Sequence, residues 1–479
     1  MRRSVILAAL LLGACTVGPD YAEPQMAVPA SYLERPAGGE TNLDHWWQGF
    51  GDALLTGLVE RALTANLDIE MATARIREAR ALERVAGAGA SPQVAAQASV
   101  NRQRISENAI PLPPGAGSGS GVGIFGLPGE EFTTFRAGFD ASWELDFFGR
   151  NRREREAAEA RTGSAVWSRR DAQVSVAAEV AAAYLRLRTY QARKTNAEAE
   201  LARLQRFEQL VDARARGGLV TGQDLEQQKS ERAAAAAAIP LLEAQARAEI
   251  HALGVLAGQS PDALAAELTP AAGLPSMPVV PAGLPSELLR RRPDVRAAER
   301  DLAAATADIG VAVADLYPRF SLTAAPAMVS TALGSLLEWG SRSFSAGAAL
   351  DWPIFDGGRR KANIEVQNAR QEQAMIAYRR TVLVGLQDVE DSLSQMAGNR
   401  QKLAELEQAY ANASRAEEIA RTRYRGGLVT LSDVLVAQAR RLSLEEQVID
   451  TKGAIARDTV ALVKALGGGW TEEGMETMQ

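Results

Sequence analysis

The sequence has almost none of the residues that hold metals, form disulfides or carry acid–base catalysis. It contains one cysteine, Cys15, and two histidines, His45 and His251, among 479 residues. A single cysteine cannot form an internal disulfide, and the two histidines lack the spacing of a metal site. No glycine-rich phosphate loop stands between a strand pattern and a helix pattern. These absences argue against an enzyme and predict no metal and no cofactor other than a covalent lipid.

The chain also has few aromatic residues, and no apolar run after its first residues is long enough for a membrane helix. Aromatic residues make up 5% of the sequence, whereas apolar residues make up 46%, partly in alanine-rich stretches such as 233–238. Alanine strongly favours helix. The composition therefore predicts extended helical packing rather than one large globular core. The formal net charge of −6 argues against binding to nucleic acid.

The start of the chain has the pattern of a secretory signal. Two arginines precede an apolar run from Val5 to Leu12 that is too short to span a bilayer. The following LGAC is similar to the lipobox at which bacterial lipoproteins are cleaved and acylated. We therefore predict a signal peptide over 1–14 and a lipid on Cys15; the alternative is an unmodified thiol in an uncleaved segment. Thr16 comes next, and the absence of an aspartate there favours the outer membrane.

The chain is an internal duplication. The pentapeptide RGGLV occurs at 216–220 and again, 209 residues later, at 425–429. The same offset separates Trp143 from Trp352, Gly149 from Gly358, and Asp224 from Asp433. Upstream the offset is 226, as between Pro92 and Pro318, and the difference falls in a glycine- and proline-rich stretch at 110–130. The pattern predicts two equivalent halves that differ mainly in one exposed loop.

Each half contains one very long helix pattern without proline, at about 150–214 in the first half and 359–422 in the second. At about 1.5 Å per residue, such a helix is about 95 Å long. RGGLV then ends the helix, and a returning helix follows. Each copy of RGGLV therefore predicts the tip of an αα-hairpin.

The residues at each tip predict how the turn is made. Glycine tolerates the left-handed backbone that ends a helix, and a Thr-x-x-Asp pattern caps the helix that follows. The predicted tip residues are Gly217, Gly218, Leu219, Thr221 and Asp224 in the first half, and Gly426, Gly427, Leu428, Thr430 and Asp433 in the second.

Ahead of each long helix the apolar period changes from 3.6 to 2, which is typical of a strand with one apolar face. We predict one β-hairpin at about 93–147 and another at 318–355. Tilted strands of about ten residues can cross a bilayer. A soluble sandwich gives the same alternation, but strands joined to such long helices leave little chain for a second sheet. Because open edges are not tolerated in lipid, other subunits must close the barrel.

With this organisation the chain resembles the outer-membrane factors of tripartite efflux pumps and type I secretion, specifically the lipoprotein branch of multidrug efflux. Besides the two RGGLV tips, the strings that carry the resemblance are CTVGPDY (15–21), WWQGFGDALL (46–55), GLPSELLRRRPDV (283–295), FDGGRR (355–360) and ALGGGW (465–470). The resemblance implies a mainly helical homotrimer. Four strands per chain would form a twelve-stranded β-barrel in the outer membrane, continued by a long periplasmic α-helical barrel.

The resemblance also implies a location and partners. The protein would contact outer-membrane lipid, with most of its mass in the periplasm, and would bind a periplasmic adaptor protein that connects it to an inner-membrane pump. We expect the following segments: a signal peptide (1–14), a lipidated extended segment (15–50), a first repeat (51–267), a proline-rich linker (268–285), a second repeat (286–466) and a tail (467–479).

In this family the tips engage the adaptor and narrow the tunnel at its closed end. Leu219 and Leu428 are the expected apolar adaptor contacts, with packing inside their own hairpins as the alternative. Tyr424 and Arg425 resemble positions that tie neighbouring hairpins together in the closed state, and with Asp433 they are the expected gate. The alternative is an exposed Tyr-Arg pair. The first tip has no such tyrosine, so the second hairpin is expected to be the mobile one.

Two further pairs of residues have open roles. Asp224 and Asp433 either only cap their helices or also form carboxylate rings, which three-fold symmetry would make selective for cations. A further acidic residue of the family is absent here, where Val436 stands. Trp143 and Trp352 are expected at the periplasmic ends of their strands as an aromatic belt, with ordinary burial as the alternative.

The leading expectation is a passive exit duct for drugs or other small toxic compounds, which opens when the tip hairpins move apart. A type I protein secretion duct and a non-conducting coiled-coil spacer lipoprotein remain as alternatives. Two hairpins with alternating apolar residues favour the duct over the spacer, since a spacer needs no lipid-facing surface.

Overall fold

The computed structural model describes residues 16–34, 43–106, 131–280, 283 and 285–471. The predicted signal peptide, Cys15, the predicted loop at 110–130 and the last part of the tail, 472–479, lie outside the described residues.

The same succession of six elements occurs twice. In the first half they are α1 (Ala53–Ala65), α2 (Leu67–Ala88), β1 (Gln93–Arg104), β2 (Glu131–Leu145), α3 (Arg150–Arg216) and α4 (Gly222–Leu256). A short helix, α5 (Ala265–Leu268), lies between the halves. In the second half they are α6 (Pro285–Arg291), α7 (Pro293–Ala314), β3 (Arg319–Ser330), β4 (Arg342–Asp351), α8 (Arg359–Arg425) and α9 (Leu431–Ala465). Helices α3 and α8 have 67 residues each and continue up to the glycine pair of their RGGLV.

The four strands form one antiparallel sheet in the order β1-β2-β3-β4. Within the first hairpin Gln93 pairs with Ser142. Strands β2 and β3 also pair, so that Trp143 lies opposite Leu322 and the two hairpins form a continuous sheet. Strands β1 and β4 are the edges, because each has one neighbour among the described strands.

The chain divides into two compact units. The first comprises Met1–Ala22, Ala79–Arg161 and Leu302–Gln373, and it contains the sheet. The second comprises Glu23–Glu78, Thr162–Asp301 and Ala374–Gln479, and it contains both helical tips.

In the first unit, the residues that follow Cys15 are docked on the start of α3. The backbone N–H of Val17 donates to the carbonyl oxygen of Phe148 at 3.3 Å. The buried guanidinium of Arg153 donates to the carbonyl oxygen of Val17 (3.3 Å) and to the carboxylate of Asp20 (2.7 Å). These contacts hold Val17 and Asp20 against the start of α3.

In the second unit, the string WWQGFGDALL forms part of the hydrophobic core. Trp47 and Phe50 are fully buried. Asp52 caps α1 by accepting a hydrogen bond from the N–H of Leu54 (2.9 Å), and it also accepts one from the hydroxyl of Tyr184 on α3 (2.6 Å). Burial, followed by this hydrogen bond, raises the pKa of Tyr184 to about 12. The string therefore joins the N-terminal segment to a long helix.

The string RRRPDV holds the start of α7 against the second helical hairpin. The guanidinium of Arg292 donates to Asp294 (2.6 Å), to Asp388 on α8 (2.9 Å) and to the carbonyl oxygen of Ala465 at the end of α9 (3.0 Å). Burial opposes the charge of Arg292, but the hydrogen bonds and charges of the two aspartates outweigh burial and raise its pKa. Arg292 thus connects three helices.

Candidate functional site

Each RGGLV forms the turn between the two helices of a hairpin. The second glycine of each pair has a left-handed backbone, with a φ of 71° at Gly218 and 72° at Gly427. Gly217 and Gly426 do not have a positive φ, so only one glycine of each predicted pair needs the freedom of a residue without a side chain. The predicted turns are present at both tips.

Replacing Gly427 by alanine should loosen the second turn, because a left-handed backbone costs a residue with a side chain about 1–2 kcal/mol. The N–H of Leu428, which donates to the carbonyl oxygen of Arg423 at 2.9 Å, should then exchange with solvent about tenfold faster in hydrogen-exchange measurements. Gly426→Ala is the matched control, because a Cβ there would make ordinary contacts of 3.5 Å or more. Equal effects of the two substitutions would show that the turn is assigned wrongly.

The helix after each turn begins with a capping box. At the second tip the N–H of Thr430 donates to the Asp433 carboxylate (2.9 Å), and the N–H of Asp433 donates to the Thr430 hydroxyl (3.3 Å). Thr221 and Asp224 form the same pair of bonds at the first tip. The hydrogen bonds from Thr430 lower the pKa of the Asp433 carboxyl, because they stabilise its charged form. The capping role predicted for both aspartates is confirmed.

The apolar tip residues point to solvent. Leu219 and Leu428 are both 76% exposed, so packing inside their own hairpins is excluded. Val436, which stands where the sequence resemblance implies a further acidic residue, is also exposed.

Tyr424 lies between the two hairpins of the chain. Its ring is 4% exposed and packs edge-on against Phe207 of α3, with the ring centroids 5.8 Å apart. Arg214 of α3 donates to the carbonyl oxygens of Tyr424 (3.1 Å) and Arg425 (2.8 Å). The alternative of an exposed Tyr-Arg pair is therefore wrong in its first residue, because Tyr424 is buried. Arg425 is exposed. We use the name tip cluster for the buried apolar residues around Tyr424, which are Phe207, Val211, Tyr424, Leu431, Val434 and Leu435.

A buried group of charged residues near the tips was not predicted. Arg441 of α9 donates to Glu417 of α8, to Glu445 (2.5 Å) and to Glu200 of α3 (2.5 Å). Gln438 donates to the second oxygen of Glu200 at 2.6 Å. Burial opposes the charge of Arg441, but the three carboxylates outweigh it and raise the pKa of the guanidinium. We call Glu200, Glu417, Gln438 and Arg441 the ionic cluster.

The sequence carried a signal for this cluster. Leu403, Leu406, Tyr410, Ala413 and Ala420 follow the alternating spacing of a coiled-coil seam. The same spacing places Glu417 in the seam between Ala413 and Ala420. A carboxylate buried in a seam needs a partner of opposite charge. The first half contains the corresponding pair, Arg232 and Glu208 (2.7 Å), but its side chains are 37% and 23% exposed.

Trp143 and Trp352 occupy equivalent places in the first unit. The indole N–H of Trp143 donates to the carbonyl oxygen of Ala90 (2.9 Å), and that of Trp352 donates to Leu316 (3.1 Å). Both acceptors lie just after the helix that precedes a strand. The two side chains are 39% and 54% exposed, so neither is buried within the chain.

Among the described residues, the helices include none whose length and apolar content would allow it to cross a membrane. In the same part of the chain, no three histidine, cysteine or acidic side chains are grouped as metal ligands.

Comparison with known proteins places these features in a family. Residues 58–259 and 284–468 match the family described as "Outer membrane efflux protein". The chain is 32% identical to the pyoverdine export outer membrane protein OpmQ of Pseudomonas aeruginosa, over 98% of this chain and 97% of the relative. It is 30% identical to nodulation protein T of Rhizobium leguminosarum bv. viciae, over 98% and 94%.

Solved structures agree with this assignment. The outer-membrane channel OprN is similar with a TM-score of 0.86 and 33% identity, over 95% of this chain and 100% of that chain. CusC is similar with a TM-score of 0.83 and 26% identity, over 95% and 100%. On the match of both halves and these relatives, the chain belongs to the outer membrane efflux protein family.

Proposed function

We propose that this protein is the outer-membrane exit duct of a tripartite efflux system, which passively conducts small toxic compounds from an adaptor and an inner-membrane pump to the exterior. The observation that carries the proposal is the family match in both halves, combined with a four-stranded sheet and two helical hairpins in every chain. Two of the relatives carry the name of a small molecule: OpmQ is named for pyoverdine export, and a Pseudomonas putida protein that is 29% identical over 97% of this chain and 98% of the relative is named for toluene efflux. Those names favour small compounds over secreted proteins.

The edges of the sheet support a homotrimer. Strands β1 and β4 each have a free edge within the described sheet, and a free edge is not tolerated in lipid. Three copies, joined β4 to β1, would close a barrel of twelve strands. Trp143 and Trp352, half exposed at the ends of their strands, would form its aromatic belt.

The tips are the proposed contact with the adaptor and the proposed gate. Leu219 and Leu428 offer exposed apolar side chains, and at the second tip Asp433 offers an exposed carboxylate. Tyr424, Arg425 and Asp433 form the gate in this proposal, which opens when the tips move apart. The two structural repeats, 51–267 and 286–466, each supply one such tip.

Ion conduction tests the proposal directly. Purified protein reconstituted in a planar bilayer should show channels, and Asp433→Ala should raise their conductance if the carboxylate ring narrows the path. A strain that lacks its own exit duct should regain dye efflux when it receives the parent gene. Absence of conductance from both parent and variant would rule out a duct and favour a spacer lipoprotein.

A lipid on Cys15 is the proposed second anchor. Cys15→Ser should abolish incorporation of labelled palmitate, yet leave most of the protein in the outer-membrane fraction, because the barrel itself holds the membrane. The docked residues Val17 to Asp20 should keep their contacts with Arg153, since none involves the cysteine side chain. Recovery of the variant mainly from the soluble periplasm would contradict a membrane-spanning barrel.

A further inference from the structure

The loop at 331–341 connects β3 to β4 at the end of the sheet opposite α7 and α8. We propose that this loop and the start of β4 bind an anionic lipid, namely a phosphorylated glycolipid of the outer leaflet of the outer membrane. The inference rests on the proposed function, because the sheet must span the membrane for its outer end to reach that leaflet. We call the binding surface the rim surface; its members are Leu333, Leu337, Trp339, Arg342 and Phe344.

Arg342 stands at the outer end of an apolar face of β4. Side chains alternate along a strand, so Arg342, Phe344 and Leu350 lie on one face, with Ala346 and Ala348 between the last two. The Phe344 side chain is 82% exposed, and that of Leu350 is also exposed. A strand face of this composition is suited to lipid, and it ends in a positive charge.

The loop itself presents apolar side chains although it is folded by its own hydrogen bonds. The hydroxyl of Ser341 donates to the carbonyl oxygen of Ser335 at 2.7 Å, which closes the loop. Leu337 is nevertheless 84% exposed and Trp339 is 78% exposed, with Leu333 exposed beside them in sequence. An exposed apolar patch of this kind indicates a membrane or protein contact. Tryptophan in particular is enriched where lipid meets water.

The charge of Arg342 has no acidic partner in the described part of the chain. Its guanidinium lies over the ring of Trp339, 4.1 Å from the centroid. Glu338 is the acidic residue of the loop, and no ion pair joins it to Arg342 among the described residues. A guanidinium at the edge of a lipid-facing surface needs an anion, and phosphate accepts two parallel hydrogen bonds from it. The combination of apolar side chains and an unpaired arginine therefore fits a phosphorylated lipid.

The outer end of β1 provides a contrast. The strand register places Arg102 on the same face of the sheet as Arg342, and both side chains are exposed. Arg102, however, donates to the carboxylate of Glu131 at 2.8 Å, and Arg104 lies 3.9 Å from the other oxygen of that carboxylate. The charge of Arg102 is thus balanced within the chain. An anionic lipid should prefer Arg342 to Arg102.

Binding of one purified lipid to the full chain tests the inference. The probe is lipid A, a glycolipid with two phosphate groups, and native mass spectrometry of protein released from detergent micelles counts the molecules bound per chain. Arg342→Gln should weaken binding of lipid A about tenfold, because it removes charge-assisted hydrogen bonds to phosphate. Trp339→Ala should also weaken binding, since it removes the ring beneath the guanidinium. Arg102→Gln is the matched control and should change the affinity less than about twofold.

Three outcomes would overturn the inference. Equal weakening by Arg342→Gln and Arg102→Gln would show attraction to any surface arginine. Equal affinity for lipid A and for phosphatidylglycerol would exclude a site for the outer-leaflet glycolipid. A lower melting temperature of Arg342→Gln with unchanged lipid binding would assign Arg342 to a contact between chains instead.

The same preparations separate this inference from the proposed function. Lipid binding by a parent protein that conducts no ions in a planar bilayer would reject the duct and keep the rim surface. Ion conduction by a parent protein that binds no lipid A would reject the rim surface and keep the duct.

Discussion

Replacing Arg441 by methionine should destabilise the helical part of the protein by about 1.5–3 kcal/mol, which is the range for the loss of hydrogen bonds between charged groups. The substitution removes the guanidinium that Glu200 and Glu417 share. Each buried carboxylate then keeps one arginine from its own helix, Arg203 for Glu200 and Arg421 for Glu417, both at 2.7 Å. Methionine fills a similar volume, so the loss reports on charge rather than on a cavity. A fall in the melting temperature, followed by circular dichroism of the helices, measures the effect.

The duplication provides the matched control. Arg232→Met removes the equivalent arginine from its pair with Glu208, but those side chains are partly exposed and water can solvate the remaining carboxylate. Its expected cost is about 0–1 kcal/mol, as for surface ion pairs. Arg441→Lys should fall between the two, because it keeps the charge and loses the several directed bonds. If Arg441→Met and Arg232→Met lowered the stability equally, burial would not be what makes Arg441 important.

Replacing Gly453 by valine should force α3 and α9 apart. A Cβ at Gly453 would lie 2.3 Å from the hydroxyl oxygen of Thr189 and 2.9 Å from its methyl carbon. The hydroxyl cannot simply turn away, because it donates to the carbonyl oxygen of Leu185 at 2.7 Å. Overpacking of this kind costs about 1–3 kcal/mol. The melting temperature of the helical part should therefore fall.

Two further variants make this second test specific. Gly57→Ala also adds a Cβ inside a helix, but nothing lies within 4 Å of it. It should stabilise the protein by about 1 kcal/mol through helix propensity. Thr189→Ala should recover part of the stability lost in Gly453→Val, since it removes the two atoms that clash. Independent, additive effects of the Gly453 and Thr189 substitutions would show that these residues do not meet.

The fold class, the outer-membrane location and the role in efflux were predicted from the sequence, and membership of the family confirms them. The most reliable parts were those that depend on neighbouring residues. A left-handed glycine ends a helix through its own φ, and Thr430 caps a helix through Asp433, three residues away. The alternation of polar and apolar residues likewise predicted both hairpins of the sheet.

The sequence by itself therefore determined the duplication, the order of helices and strands and the chemistry of each turn, because hydrogen bonds within a few residues produce them. Only the tertiary structure decided which distant side chains meet. Glu200 and Arg441 are 241 positions apart, and the contact depends on how α3 crosses α9. For the same reason the two tips have different surroundings, although their turn sequences are identical. Tyr424 is buried against Phe207. The positions equivalent to these two residues are both alanine, Ala215 and Ala416.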